Sequence, residues 1–137
     1  RKYDLTNYEI AIDTDGVGGG AADYFDGCVE IANNAKALNG ENYENIKTQM
    51  FFKLAEEINT ESITAVNGVF TDEQAETIAQ ELEVIKRAKV DRDGKLAITP
   101  KAEVKQMLQR SPDYADCLAY LMIFVLQERF NNEYFMF

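Results

Sequence analysis

Apolar and polar positions alternate first at Tyr8, Ile10 and Ile12, with Glu9 and Ala11 between them, which is the period of a half-buried strand over residues 8–12. The strand runs into acid. Asp13-Thr14-Asp15 is followed by Gly16-Val17-Gly18-Gly19-Gly20, and residues 21–25 can begin a helix. Asp13 therefore falls at the carboxyl end of a strand, at a strand-to-helix turn. After Asp26-Gly27, residues 28–31 predict a second short strand, and a polar loop rich in Asn and Gly continues to about Glu41.

The period then changes. Between residues 42 and 58, Ile46, Met50, Leu54 and Ile58 recur at helical spacing, with Tyr43, Phe51 and Ala55 beside the same stripe, so an amphipathic helix is expected. Residues 62–70, broken by Asn67-Gly68, predict a short strand or a loop. Thr71 with Gln74 three positions later forms a capping box, and Ala75, Ile78, Leu82 and Ile85 carry the next helix to a basic end at Lys86 and Arg87. Residues 88–90 and 96–98 flank Asp91-Arg92-Asp93-Gly94, the pattern of a small hairpin with Asp93-Gly94 at its tip. Thr99-Pro100 and Ser111-Pro112 each place a capping residue before a proline at the first helical position. Of these two helices the first is short and basic, with Lys101, Lys105 and, just beyond it, Arg110. The second, to about Arg129, is apolar on almost every face and should pack on several sides. The end, Tyr134-Phe135-Met136-Phe137, is apolar. No internal repeat or low-complexity stretch interrupts this order.

A chain of 137 residues, 46% of them apolar, suits one domain with one core. Fourteen Lys and Arg against 24 Asp and Glu give a net charge of −10, which argues against coating DNA or a membrane surface by electrostatics alone. A nucleic-acid partner would require metal ions or a local basic patch. The absence of histidine excludes Ser-His-Asp and Cys-His catalysis and His-ligated zinc, so acid–base work falls to carboxylates. Cys28 and Cys117 lie far apart and form no CxxC pair, which favours a reducing, cytosolic setting. The longest apolar run, residues 117–126, is short of the ~20 residues a membrane span needs, so no membrane association is expected. A start at Arg1, only a few residues before a strand, suggests a piece of a longer polypeptide.

Three groups could carry chemistry. Asp113 and Asp116 stand at i and i+3 in the first turn of the last helix, so both carboxylates emerge on one face and can converge on a cation. First-turn acids also arise simply because they suit the helix dipole. Asp13 is the partner expected for them, because α/β folds place functional groups at the ends of buried strands. The glycine string satisfies GxGxxG/A after a strand, the dinucleotide pattern, although Asp13 and Asp15 would repel a pyrophosphate there. Lys36, Lys47 and Lys53 form a scattered basic set, and Lys86, Arg87, Lys89, Arg92 and Lys95 a denser one that could contact phosphates.

The order of these segments resembles the carboxyl-terminal nuclease domain of the large terminase subunit of tailed bacteriophages, a ribonuclease H-like fold. Four stretches carry the resemblance: IAIDTDGVGGGAADYF (10–25), YENIKTQMFFKLAEEI (43–58), VDRDGKLAITPKAEVK (90–105) and RSPDYADCLAYLMIF (110–124). The SPDxAD element, with an upstream strand leading into D-x-x-G-V-G-x-G, is the most specific part. The resemblance implies a truncated ribonuclease H-like α/β fold, a short central sheet flanked by helices, plus a small β-hairpin. It implies one partial nuclease domain over residues 1–137, with the ATPase domain and first strands absent.

The implied activity is metal-dependent endonucleolytic cleavage of concatemeric double-stranded viral DNA during packaging, with two Mg²⁺ or Mn²⁺ ions about 3.5–4 Å apart in the complete domain. By the same resemblance Asp13 and Asp116 are catalytic metal ligands and Asp113 a further ligand; Asp15 is a less suitable substitute for Asp13. The portal and the small terminase subunit are the implied partners, and the cytoplasm of a bacterial host the implied location, for a phage or prophage protein. The family's first metal-binding Asp lies on an earlier strand of a β-meander, so this chain alone is expected to bind metal weakly and to cut poorly or not at all. An unpaired edge on the 8–12 strand is expected to invite self-association. The rival reading is a non-catalytic nucleotide-binding or protein-interaction module that uses Gly16 to Gly20.

Overall fold

The computed structural model describes residues 4–15, 18–88 and 93–127. The apolar end at 134–137, Lys89 and Arg92 of the basic set, and the first two residues of the glycine string lie outside them. Two short parallel strands, β1 (Ala11–Asp13) and β2 (Val29–Ile31), pair in the register Ala11 to Val29 and Asp13 to Ile31. Five helices accompany them: α1 (Gly18–Ala22), α2 (Ile46–Asn59), α3 (Asp72–Val84), α4 (Lys101–Leu108) and α5 (Asp113–Leu126). The architecture is mixed α/β, as the pattern predicts.

The first strand is shorter than its alternation suggests. Thr6 donates from both its backbone N–H and its hydroxyl to the Glu9 carboxylate, at 2.8 Å each, and this local pairing winds Asn7–Glu9 into a 3₁₀ turn. Tyr8 consequently lies outside the strand, 68% exposed, against Gly27. Gly27 has φ 85°, and a Cβ there would stand 2.5 Å from the Tyr8 ring, so this turn requires glycine.

The glycines after β1 form helix rather than a loop. Gly18 to Gly20 open α1 ahead of the expected start at Ala21. A Cβ on Gly20 would meet nothing within 4 Å, so close packing does not explain that glycine.

The α2 helix starts at Ile46 because the Asn45 side chain accepts from Thr48 N–H at 2.8 Å, a regular cap. Residues 42–44 are drawn away instead. Leu96 N–H donates to Asn42 O, and Glu44 N–H to Leu96 O, both at 2.9 Å. Residues 89–92 of the expected hairpin lie outside the described ones; its described arms meet at the antiparallel bridge Arg87 to Ile98, with Ala88 N–H donating to Ala97 O at 2.9 Å and Thr99 N–H to Lys86 O at 2.8 Å, beside the parallel bridge Tyr43 to Leu96.

The α3 capping box forms as expected, with Thr71 and Gln74 bonding reciprocally at 2.9 and 3.2 Å. That helix stops at Val84, before its basic end, because Lys86 turns into backbone pairing with Thr99. The two proline helices begin one residue later than expected, with Pro100 and Pro112 themselves at the capping position and no side-chain cap. Thr99 is occupied elsewhere, since its hydroxyl accepts from Lys86 N–H at 2.9 Å.

The core lies between β2, α2 and α5. Val29 and Ile31 meet Ile46, Met50, Phe51 and Leu54 from α2 and Ala115, Ala119, Met122, Ile123 and Phe124 from α5. Ile58, expected in the stripe, is 44% exposed at the end of α2. Burial of α5 is one-sided, with Leu121 and Val125 exposed on its outer face. No helix among the described residues is long and apolar enough to cross a membrane.

Candidate functional site

Asp13 ends β1 and is held from three directions. Its Oδ1 accepts from Asp15 N–H at 2.9 Å and from Asn33 Nδ2 at 3.2 Å, and its Oδ2 accepts from the Tyr120 hydroxyl at 2.8 Å. Burial pushes the Asp13 carboxyl upward, but the bonds from Asp15, Tyr120 and Asn33, with the charge of Lys47, together hold it below its ordinary value. Burial and the bond to the Asp13 carboxylate push the Tyr120 phenol up, keeping it protonated as a donor.

Asn33 organises the other side. Its side chain bridges Asp13 and Asp15, reaching Asp15 Oδ2 at 2.9 Å while its backbone N–H donates to the same oxygen at 3.1 Å. Asn33 is itself buried, because it follows β2 directly into the fold.

Asp116 arrives from α5. Its Oδ1 is buried, stands 2.7 Å from Lys47 Nζ, and accepts no directed hydrogen bond. Lys47, in the first turn of α2, also lies 5.8 Å from the centre of the Phe51 ring. Asp116, Lys47, Asn33 and Asp15 line one open cleft of about 300 Å³, which Lys101 at the head of α4 also lines. Asp13 does not itself line the cleft but is bonded to two residues that do, Asp15 and Asn33.

Asp13 and Asp116 thus come from opposite ends of the sequence and share two neighbours. Lys47 pairs with Asp116 and acts electrostatically on Asp13, and Tyr120 bonds Asp13 and feels the charge of Asp116. Asp113 is exposed one turn before Asp116 on α5. Among the described residues, no group of three or more Asp, Glu or Cys side chains is placed to hold a metal ion. Cys28 and Cys117 are free thiols, and burial followed by the charges of Asp116, Asp113 and Glu81 raises the Cys117 thiol.

Sequence reasoning missed Asn33, Lys47 and Tyr120 as parts of this site. Tyr120 carried a legible signal, since it follows Asp116 by one helical turn and must share its face. Lys47 was visible only as one of a scattered basic set. Asn33, in a polar loop, had nothing local to distinguish it from its neighbours.

No family model matches the chain, and no curated protein does. Among solved structures the chain resembles the nuclease domain of the large terminase subunit of bacterial virus Sf6, with a TM-score of 0.65 and 23% identity over 82% of this chain and 63% of that one. A mutant form of that domain with manganese gives a TM-score of 0.63 at 22% identity, over 82% of this chain and 64% of that one. A mutant form with calcium gives 0.62 at 23% identity, over 82% and 63%. The chain therefore spans less than two thirds of the length of the domains it matches, and within that span its fold is that of a terminase nuclease domain.

Proposed function

We propose that this chain is part of the nuclease domain of a phage large terminase subunit and serves the endonucleolytic cleavage of concatemeric viral DNA during packaging. The observation that supports the reading is that Asp13 and Asp116, from opposite ends of the chain, have Lys47 and Tyr120 as common neighbours within a fold shared with the Sf6 nuclease domain. The donor set suits hard divalent cations such as Mg²⁺ or Mn²⁺, because both groups offer only carboxylate oxygen. Asp116 Oδ1 is held by the Lys47 ammonium at 2.7 Å, so a bound ion would take over the charge that this lysine now balances. The Sf6 structures with manganese and with calcium agree with such a preference.

In this reading Asp13 and Asp116 are the catalytic metal ligands and Asp113 a further metal ligand. Bound ions would supply Lewis acidity toward the phosphodiester and lower the pKa of the attacking water. The chain's own residues do the rest. Asn33, Tyr120 and the Asp15 N–H fix the Asp13 carboxylate in its anionic form and aim it before any ligand arrives. Lys47 neutralises Asp116 while the site is without metal, and Lys101, which lines the same cleft, offers a positive charge to DNA. Double-stranded DNA is the substrate on this reading, the portal and the small terminase subunit are partners of the parent protein, and the bacterial host cytoplasm is the location.

The test is plasmid nicking in Mn²⁺ by a chain extended upstream. Asp13→Ala and Asp116→Ala should each lower the rate beyond the ~10–100-fold typical of losing a supporting partner at a metal site. Cutting by either variant at the parent rate rejects the assignment. The chain as it stands should bind Mn²⁺ weakly and cut little.

A further inference from the structure

Glu81 is a carboxylate with no solvent exposure, on α3, which reaches the cleft only through Ile85 at its end. Burying an anion is costly unless it is paired and hydrogen-bonded. Its partners account for it: Glu81 Oε2 accepts from Ala115 N–H at 2.8 Å, and Oε1 accepts from the Arg110 guanidinium. Arg110 also donates to Ser111 O at 3.2 Å, so α3 grips the chain on both sides of Pro112.

The head of α5 has no cap of its own. Pro112 stands at the capping position with no side-chain acceptor, leaving the first-turn N–H groups to be satisfied from elsewhere. Glu81 supplies that acceptor from another helix, and its charge suits the positive end of the α5 dipole. Ala115, which it holds, is fully buried and immediately precedes Asp116.

We infer that Glu81 is a positioning residue for the metal centre, fixing through Ala115 where Asp116 stands relative to Asp13. The inference rests on the nuclease reading above and adds to it a residue that does not itself line the cleft. Glu81→Gln is the sharpest variant, because the amide keeps the shape but can accept for only one of the two donors and turns an NH₂ toward the other.

The experiment is a titration of the ¹⁵N-labelled chain with Mn²⁺, following paramagnetic broadening of the Asp13 and Asp116 amide signals well below the melting temperature. Glu81→Gln should require about fivefold more Mn²⁺ to broaden Asp116, with helix content by circular dichroism unchanged. A Glu81→Gln chain that melts earlier but broadens at the parent midpoint overturns the inference, since a merely structural cap lowers stability without moving metal affinity. Should Glu81→Gln not fold, Arg110→Gln decides by the same midpoint, with an unchanged value overturning the inference. Failure of the nuclease reading looks different: the parent chain then shows no broadening at Asp116, or Asp116→Asn leaves the titration unaltered, and the Glu81 inference falls with it.

Discussion

Lys47 and Asp116 face each other at 2.7 Å with only 16% and 17% of their side chains exposed, so this ion pair is sheltered from solvent screening. Removing the cation leaves a largely buried carboxylate oxygen with no partner. Lys47→Met should therefore destabilise the metal-free protein by about 1–3 kcal/mol, read by urea unfolding in EDTA, and an unchanged midpoint would show the pair to be inert. Asp13 makes a separate prediction. Its carboxyl titrates below the ordinary 3.8, so it contributes stability that is present above about pH 4 and is lost as pH falls through the lower folded value. Urea unfolding from pH 6 to pH 3 without metal should show a smaller loss for Asp13→Asn than for the parent. Equal slopes would mean that Asp13 does not contribute.

At the scale of elements, local signals and tertiary ones divided the work. Thr71 and Gln74 close the α3 box with reciprocal bonds between near neighbours. Thr71→Ala should cost about 1 kcal/mol in a thermal or urea melt, with Thr71→Ser close to the parent. Thr99 looked equivalent in sequence, but its hydroxyl bonds Lys86 and does not cap α4. The arms of the expected hairpin pair where they are described, Ala88 N–H with Ala97 O and Thr99 N–H with Lys86 O, while Leu96 pairs with the segment that precedes α2, a partner the local pattern does not name. Helix periodicity survived throughout because the α2 stripe of Ile46, Met50 and Leu54 needs only an apolar surface opposite, which α5 provides.

Over the whole molecule, a net charge of −10 coexists with a cleft lined by two lysines, Lys47 and Lys101. Long-range repulsion of DNA is thereby met by local attraction at the site. Among the described residues β1 has a single strand neighbour, and the outer face of α5 presents Leu121 and Val125. An unpaired edge beside apolar surface favours self-association, although strands of three residues limit how much an edge can add. Light scattering should give a mass that rises with protein concentration, and a monomer mass throughout the range would count against association.

The sequence by itself determined the α/β class, the helices with their own stripes and caps, and the carboxylates at the end of β1 and the head of α5, because each depends on interactions within a few residues. Only the tertiary structure decided that Asn33 and Tyr120 would hold Asp13, that Lys47 would face Asp116, and that Glu81 would cap α5. Those contacts join residues distant in the chain, and their partners are chosen by the packing of α2, α3 and α5 around a two-stranded sheet. Local periodicity carries no information about which polar groups that packing will bring face to face.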